Sequence, residues 1–334
     1  MRLPAALNRA IDAEAAQHDR KLLTRAVEDM SFRYRSRVKD TGTFVSTPLH
    51  RAAYVITRLP ATFAAVAAVL AEIKNRMTEF APADLLDLGA GPGTATWAAA
   101  AVFSSLQRAT LVEQDPEFIA TGRHMLKSAG SAPVSHMEWV RGDLRKAEVE
   151  PHDLVVMSYA LGELSEREAI TLVTKALRVA KVLAVIEPGT PRGCGVVHLA
   201  RAEMLAAKAH IVAPCTQEGP CPMLARKDDW CHFAQRLERT SLHRSLKSGE
   251  LGYEDEKFSY MVAAKEDAVK ASARIIRHPL IGKGHIKLEL CTPAGITTQT
   301  VTRSDKEKFR LARHAKWGDA WGETPDKMHT RGGP

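Results

Sequence analysis

Short apolar runs alternate with helical stretches through the middle of the chain, and this alternation constrains the fold more than any other feature. Five runs read as strands: DLLDL (84–88), ATLVEQ (109–114), MEWV (137–140), DLVVMSYA (153–160) and KVLAVIEPG (181–189). Ser165 and Glu168 have the spacing of a capping box that opens the helix after the fourth run. Strands and helices that alternate in this way form parallel β-α units, so we predict a doubly wound α/β sheet.

The flanking regions have different patterns. Residues 1 to about 80 have the three- and four-residue spacing of helices and show no chemistry of their own. Strand-like alternation returns in FSYMVAAKE (258–266) and in HIKLELCTPAGITTQTV (285–301), which contains a Pro-Ala-Gly turn. We expect these late strands to complete the same sheet after a long insertion. The predicted organisation is a helical region (1–80), a main domain (81–302) with a cysteine-bearing insertion at about 205–255, and a basic tail (303–334).

A glycine-rich turn follows the first strand. In DLGAGPGT, Gly89, Gly91 and Gly93 alternate between a strand and a helix, where glycine allows a sharp turn and a close approach by a ligand. Glu113 ends the second strand about 20 residues later, a position from which an acidic side chain accepts from ribose hydroxyls. A tight turn without a ligand is the alternative interpretation. The third glycine comes one residue too early for a nicotinamide dinucleotide, so that cofactor is disfavoured.

This Gly-Ala-Gly-Pro-Gly spacing resembles the first motif of the Rossmann-like S-adenosylmethionine-dependent methyltransferases. The resemblance implies a cofactor site formed near the ends of successive strands by Asp87, Gly89, Gly91, Gly93, Glu113, Asp143 and Ser158. The resemblance implies Asp87 near the methionine amino group by way of water or backbone, Glu113 on the ribose and Asp143 on the adenine amine. The segment after the fourth strand lacks the Asn/Asp-Pro-Pro-Tyr motif of amino-methylating enzymes, and we predict no catalytic residue.

Three of the five cysteines lie close together in a segment with several prolines. Cys215, Cys221 and Cys231 fall within residues 213–233, and neither gap between them is the CxxC of a zinc knuckle. An odd cysteine count in a chain that we expect to be intracellular argues against disulfides, which leaves metal binding or buried packing. A metal site needs a fourth ligand, and His232 and His210 are alternatives to a further cysteine.

Cys291 is the cysteine we favour as the fourth ligand. Alternation in HIKLELC puts Ile286, Leu288 and Leu290 on one face of a strand and Cys291 on the other, so Cys291 does not belong to the aliphatic face. Cys194 is assigned to buried packing. Four thiolates suit a tetrahedral zinc ion or a 4Fe-4S cluster, and the residue pattern by itself leaves both open.

The composition is that of a globular protein with excess positive charge. The 334 residues are 45% hydrophobic and carry a formal net charge of +8, which favours anionic partners such as nucleic acid. The longest apolar run, residues 61–71, is much shorter than the about 20 residues that cross a bilayer, so we expect no membrane partner. The first residues contain Asp12 and Glu14 and lack a signal-peptide core. We therefore expect a cytoplasmic bacterial protein rather than a mitochondrial matrix protein.

Several stretches together resemble the methyltransferase-like small-subunit ribosome assembly factors, known from mitochondria and with bacterial relatives. They are RLPATFAAVAAVL (58–70), DLLDLGAGPGT (84–94), IEPGTPRG (186–193), HIVAPCTQEGPCPM (210–223), WCHF (230–233) and ARHAKWGDAW (312–321). The resemblance implies a 4Fe-4S cluster on Cys215, Cys221, Cys231 and Cys291, and association with the small ribosomal subunit or its precursor rRNA. We expect an assembly factor that is monomeric off the ribosome, and an active rRNA methyltransferase is the alternative.

The C-terminal segment RSDKEKFRLARHAKWGDAW (303–321) suits such a partner. Its aromatic side chains Phe309, Trp317 and Trp321 offer faces on which bases stack, and its cations neutralise phosphates. The cations are Arg303, Lys306, Lys308, Arg310, Arg313 and Lys316. A solvated amphipathic helix that closes the domain is the alternative interpretation.

Overall fold

A computed structural model describes residues 2–36, 45, 47–148, 150–246 and 252–322. Its helices are α1 (Ala5–Ala16), α2 (Arg20–Ser36), α3 (Pro48–Thr57), α4 (Leu59–Arg76), α5 (Thr94–Val102), α6 (Pro116–Ala129), α7 (Glu166–Val179), α8 (Pro191–Ala206), α9 (Ser241–Leu246) and α10 (Lys306–His314). Its strands are β1 (Asp84–Leu88), β2 (Arg108–Glu113), β3 (His136–Arg141), β4 (His152–Ser158), β5 (Ala180–Pro188), β6 (His210–Ala213), β7 (Phe233–Glu238), β8 (Tyr253–Ala264), β9 (Ala273–Ile275), β10 (Leu280–Ile281), β11 (His285–Thr292), β12 (Gly295–Thr302) and β13 (Ala320–Trp321).

The chain divides into two compact units, each made of three segments. The first unit comprises Met1–Ala68, Pro82–Ala147 and Gln235–Glu256. The second unit comprises Val69–Ala81, Glu148–Ala234 and Lys257–Pro334. The domain boundaries given in the sequence analysis stay a prediction.

The first unit contains three parallel strands in the order β3-β2-β1. Local sequence determines where its helices begin and end. Asp115 caps α6 by accepting from the Glu117 N–H, Pro116 occupies the first turn, and Gly130 ends the helix in the left-handed region. The N-terminal helix α1 is held against the end of α6, because the Arg9 guanidinium donates to the Ala129 carbonyl at 2.7 Å.

The second unit contains β4, β5, the part of β8 from Lys257 onward and β6, in the order β4-β5-β8-β6. β4 and β5 are parallel, whereas β8 is antiparallel to both β5 and β6. Ser165 and Glu168 form the predicted capping box at the start of α7. Parallel strand-helix units followed by an antiparallel strand confirm the predicted α/β Rossmann-like methyltransferase fold with a helical N-terminal region.

A second, five-stranded sheet lies in the same unit and was not foreseen. Its order is β10-β11-β9-β13, with β12 also pairing with β11. The predicted hairpin of β11 and β12 is present, but the expectation that it would extend the first sheet is wrong, since only β8 of the predicted late strands joins it. The reason is a separate core, in which the apolar face of β11 packs with residues of β9, β12, α10 and β13: Ala273, Ile275, Ile286, Leu288, Leu290, Val301, Ala312 and Trp321.

Within the described ranges, no helix taken singly has the length and apolar character needed to cross a bilayer. The helices α3 and α4 meet those two criteria only when taken as a pair, and the pair is bent by 44°.

Candidate functional site

The glycine turn between β1 and α5 has an open side at Gly91. The backbone of Gly91 has a φ of +53°, and a Cβ placed there would meet nothing within 4 Å. Gly93, at φ +90°, differs, because a Cβ there would lie 2.8 Å from the Met137 side chain. Packing therefore accounts for Gly93, whereas the space at Gly91 is available to a ligand.

The carboxylate of Glu113 holds this turn in place. One oxygen accepts from the Gly91 N–H at 2.8 Å and the other accepts from the Asp115 N–H at 2.8 Å. The Trp139 indole donates to the Gly91 carbonyl at 3.3 Å. Each carboxylate oxygen keeps a further lone pair, so Glu113 can still accept from a ribose hydroxyl.

Asp87 is a completely buried carboxylate near the end of β1. Its Oδ2 accepts from the Thr96 hydroxyl at 3.3 Å, while its Oδ1 has no hydrogen-bond partner among the described residues. Burial raises the pKa of Asp87 to about 7; the hydrogen bond from Thr96 opposes this rise, and the Glu113 charge adds to it. An unpartnered buried oxygen fits a donor such as the ammonium of S-adenosylmethionine.

Asp87 should make the protein less stable as the pH rises from about 4 to about 7. A carboxyl whose pKa increases on folding, here from 3.8 to about 7, favours the folded state while it is protonated and loses that contribution as the pH approaches 7. We expect the unfolding free energy of wild type to fall relative to Asp87→Asn by up to about 1.4 kcal/mol per pH unit in this window. Urea unfolding across the range measures this, with Asp12→Asn on the exposed face of α1 as the control. Parallel curves for wild type and Asp87→Asn would contradict it.

The remaining predicted cofactor residues have other partners. Asp143 forms an ion pair with Arg145 at 2.7 Å, and hydrogen bonds from Arg145 hold the pKa of Asp143 below its usual range. An adenine amine would have to share this carboxylate with Arg145. Ser158, at the end of β4, belongs to the second unit and is half-buried beside Tyr159, whose φ of 58° is in the left-handed region.

Glu187 is a buried acidic residue that sequence reasoning missed. It lies at the end of β5 and accepts from the backbone N–H groups of Leu161 at 2.9 Å and Gly162 at 3.3 Å. Arg192 donates to the Gly162 carbonyl at 2.6 Å, so both sides of the loop after β4 are held. Burial raises the pKa of Glu187 to about 7, against the opposing effect of these N–H groups. An acidic residue at the end of the apolar run KVLAVIEPG was the available clue.

All five cysteines belong to the second unit, in segments that are distant in sequence. Cys215 follows β6, Cys221 precedes a short 3-10 turn, and Cys231 precedes β7. Cys291 is in β11, where it pairs with residues of β9 and β12. Cys194, in α8, is buried as expected. None of the five forms a disulfide.

The thiols lie close enough together to affect one another's ionisation. Burial raises the pKa of Cys231 well above its usual range, and the other four cysteines add to that rise. Burial also raises the pKa of Cys215 to about 11, where Cys221 and Cys291 add to the rise. The pKa of Cys194 is raised by burial and by Cys221, and lowered by a hydrogen bond from the Cys231 backbone. The structure thus brings the four predicted ligands into one neighbourhood and places Cys194 beside them.

The donor set has the chemistry of a metal site, although its present arrangement is not that of a coordination sphere. In the part of the chain that the structure describes, no group of three or more His, Cys, Asp or Glu side chains is arranged to hold a metal ion. Four neighbouring thiols are nevertheless the donors that tetrahedral zinc and 4Fe-4S clusters require. The four-cysteine site and the identity of its metal stay predictions.

The two histidines considered as ligands have other roles. His232 is buried, its Nδ1–H donates to the Trp230 carbonyl at 3.0 Å, and its ring stacks on the Trp230 ring with the ring centroids 5.0 Å apart. His210 forms an ion pair with Asp267 at 3.6 Å. Both therefore have partners of their own outside the thiol group.

The basic C-terminal segment is described only to residue 322, so residues 323–334 of the predicted tail lie outside the described residues. The six cations predicted to contact phosphates are all exposed. The expectation that Trp321 offers a face to bases is wrong, since it is 6% exposed and packs in the core of the second sheet, where its indole donates to Gln299 at 2.6 Å. Trp317 is half-buried, with its ring against His232 and His278.

Comparison with known proteins gives a family match over most of the chain. Residues 48–322 match the family described as mitochondrial small ribosomal subunit Rsm22. The human mitochondrial ribosome assembly protein METTL17 is 29% identical over 285 residues, covering 80% of this chain and 61% of that protein. The mitochondrial Rsm22-cox11 tandem protein 2 of Schizosaccharomyces pombe is 26% identical over 334 residues, covering 84% of this chain and 44% of that protein. The chain thus spans about half the length of these curated relatives.

Among solved structures, the precorrin-6y C5,15-methyltransferase of Geobacter metallireducens GS-15 superimposes with a TM-score of 0.39 at 14% identity. The superposition covers 60% of this chain and 87% of that one. A similarity this low carries no information on function.

The expectation of a cytoplasmic bacterial protein is wrong. The matching family and both curated relatives are described as mitochondrial. The expectation depended on acidic residues near the start of the chain, but Glu14 belongs to α1 and is buried in that folded helix. Glu14 is therefore part of the packed structure, and its acidic character carries no information on the cellular compartment.

Proposed function

This chain belongs to the Rsm22 family of mitochondrial small ribosomal subunit proteins, and from this premise we propose that it is an assembly factor of the small ribosomal subunit in mitochondria. In this function it binds rRNA or the immature subunit. The observation that carries the proposal is the extent of the family match, because residues 48–322 include the glycine turn, all five cysteines and α10. The likeness is therefore not limited to a nucleotide-binding fold.

The surface that contacts rRNA in this proposal is α10 with the residues beside it. Its apolar side packs on the second sheet through Phe309, Leu311 and Ala312. The opposite side presents the exposed cations, which can neutralise phosphates. Binding of this kind weakens steeply as the salt concentration increases, because it releases condensed counterions.

The cofactor of the first unit, in this proposal, is S-adenosylmethionine. The open space at Gly91 and the unpartnered Oδ1 of Asp87 fit such a ligand. Asp87 would accept from its ammonium group, and Glu113 has lone pairs left for its ribose. When bound, this cofactor supplies an electrophilic methyl group. Contacts from Gly89, Gly93 and Asp143 of this unit remain part of the proposal.

The four cysteines Cys215, Cys221, Cys231 and Cys291 hold a 4Fe-4S cluster in this proposal, and zinc is the alternative. Such a centre supplies metal-thiolate bonds whose energy contributes directly to folding. Here those bonds would join β11 to the irregular segment 213–233. The expected role is structural support of the second unit beside the basic surface.

Co-sedimentation with purified small ribosomal subunits tests the assembly function. We expect the full chain to migrate with immature small subunits at low salt and to dissociate as salt increases. The double variant Lys306→Glu, Arg310→Glu should bind at least tenfold more weakly, because it reverses two exposed charges of α10. Arg167→Glu, on the exposed side of α7, is the matched control and should bind like wild type. Equal binding of all three proteins would reject the proposed surface. Failure of the wild-type chain to bind small subunits would reject the proposed function.

A second function, methyl transfer to small-subunit rRNA, is favoured by the open Gly91 and by the unpartnered Asp87. Gly91→Arg should abolish binding of S-adenosylmethionine, since the long side chain would fill the open space and its charge would repel the cofactor's sulfonium. Calorimetry measures this loss. Gly195→Arg on α8 is the control, because a Cβ there also meets nothing within 4 Å.

Transfer of a labelled methyl group to rRNA by wild type, absent in Gly91→Arg, would establish the enzyme. Binding of the cofactor without transfer would leave the assembly function as the sole activity. Unchanged cofactor affinity in Gly91→Arg would contradict the proposed cofactor site.

A further inference from the structure

Arg201, in α8, is a buried cation without an acidic partner. The residue is 7% exposed, and it forms no ion pair with any carboxylate in the residues that the structure describes. Its Nε also lacks a hydrogen-bond partner there. A buried charge is strongly destabilising unless an opposite charge compensates it. Arg201 therefore needs a source of negative charge other than a carboxylate.

The guanidinium lies within the loop that joins two of the cysteines. Its Nη2 donates to the Gly219 carbonyl at 2.7 Å and to the Gln217 carbonyl at 3.3 Å, and both residues lie between Cys215 and Cys221. Carbonyl oxygens satisfy hydrogen bonds but do not neutralise a full charge. The Cys215 thiol, at the start of this loop, lies within hydrogen-bonding reach of the Arg201 side chain, and a thiol can carry negative charge.

The other two buried arginines of this unit, Arg76 and Arg274, make the contrast clear, because both pair with the Glu72 carboxylate. Arg274 is 1% exposed, and its Nη2 is paired with the Glu72 carboxylate at 2.6 Å. Among the residues that the structure describes, the fold therefore supplies a carboxylate to two buried guanidinium groups of this unit and none to Arg201. The one without a carboxylate is the one whose partners belong to the Cys215–Cys221 loop.

We propose that Arg201 is the counter-ion of the ionised cysteine group, and that it positions the Cys215–Cys221 loop around a metal-thiolate centre. The inference rests on the proposed function, because neutral thiols would leave the guanidinium uncompensated whereas metal-bound thiolates are anionic. Arg201 is a positioning residue that holds the loop through two carbonyls and balances the charge of the thiolates. Loss of its charge should weaken retention of the metal and make reduction of an iron-sulfur centre harder, since reduction adds negative charge.

The experiment compares four anaerobically purified full-length proteins: wild type, Arg201→Met, Arg201→Lys and Arg167→Met. Iron, acid-labile sulfide and zinc are measured per chain, followed by the rate of metal loss to a chelator and the midpoint potential. In Arg201→Met we expect metal loss at least tenfold faster than in wild type. We also expect a tenfold lower ratio of reduced to oxidised centre at a fixed potential, equal to about 59 mV for one electron. Arg201→Lys should keep the midpoint potential of wild type but should lose metal faster than wild type. Arg167→Met should match wild type in both measurements.

The outcomes separate this inference from the proposed function. A loaded wild type whose retention and potential are unchanged in Arg201→Met would overturn the inference and leave the metal site intact. If Arg201→Met does not fold, Arg201→Lys tests the inference instead, because lysine keeps the positive charge. A midpoint potential well below that of wild type in the lysine variant would exclude a role of the charge. A wild type that binds zinc would reject the iron-sulfur centre, and the chelator rates would still test Arg201. A wild-type protein without any metal would reject both the proposed metal site and the proposed role of Arg201.

Discussion

Replacement of Arg274 by methionine is expected to destabilise the second unit by about 3–5 kcal/mol, the usual cost of removing one partner from a buried ion pair. The Arg274 guanidinium donates to three groups: the Glu72 carboxylate at 2.6 Å, the Pro214 carbonyl at 3.1 Å and the Gly318 carbonyl at 2.9 Å. Methionine retains the length of the side chain but leaves all three acceptors without this donor. Glu72 would keep only its ion pair with Arg76, at 2.8 Å.

The position of Arg274 extends this effect to the cysteines. Its backbone pairs with Cys291 between β9 and β11, and its side chain bonds the carbonyl of the residue before Cys215. One residue thus fixes two cysteine-bearing segments that are far apart in sequence. We expect Arg274→Met to lose metal as well as stability.

Urea unfolding with circular dichroism measures the stability change. The control is Arg236→Met, which removes an exposed pair with Asp255 and should cost about 0–1 kcal/mol. Burial alone would raise the pKa of Glu72, but Arg274 and then Arg76 hold it at about 2. The ion pair therefore contributes stability above pH 4.5, and that contribution is lost as the pH falls toward 2, so Arg274→Met should lose less stability than wild type over this range. Equal costs for Arg274→Met and Arg236→Met would contradict the account.

Replacement of Cys221 by serine is expected to remove nearly all bound metal and to unfold the segment 213–233 locally. A hydroxyl is a poor ligand for soft metals, and metal binding energy contributes to folding. Metal content per chain and hydrogen exchange of the segment measure the two effects. We expect exchange to increase in residues 213–233 while β1, β2 and β3 of the first unit retain their protection.

Cys194→Ser is the matched control for this experiment. Cys194 has the same type of side chain, lies beside the group and is buried, but it is not one of the four predicted ligands. A serine oxygen can accept the hydrogen bond from the Cys231 backbone, so metal content should stay close to that of wild type. Loss of metal in Cys194→Ser with retention in Cys221→Ser would show that the ligand set is wrong.

Sequence reasoning succeeded where the determining interactions are local. The capping box of Ser165 and Glu168 depends on contacts within four residues. The strands β4 and β5 contain continuous apolar runs, which are typical of strands buried on both faces, and these runs are buried. The alternation in β11 correctly separated Cys291 from the aliphatic face that packs in the second sheet.

Features that depend on distant parts of the chain could not be predicted in this way. The hairpin of β11 and β12 was clear, but the choice between extending one sheet and forming another depends on β9, β13 and α10, which have short or polar sequences. Trp321 follows a basic helix and suggested a stacking surface, yet it fills the core of that second sheet. The sequence alone suggests that the charged residues Glu187 and Arg201 are exposed. In the folded chain both are buried and hydrogen-bonded to backbone groups.

The most direct measurement of the central claim is the iron and acid-labile sulfide content of the full chain after anaerobic purification, with zinc measured in the same sample. The account predicts about four iron and four sulfide per chain, the composition of a 4Fe-4S cluster held by four thiolates. It also predicts a brown protein that loses its colour in Cys221→Ser. A colourless protein with one zinc ion per chain, or with no metal, would contradict the claim that these thiols converge on an iron-sulfur centre.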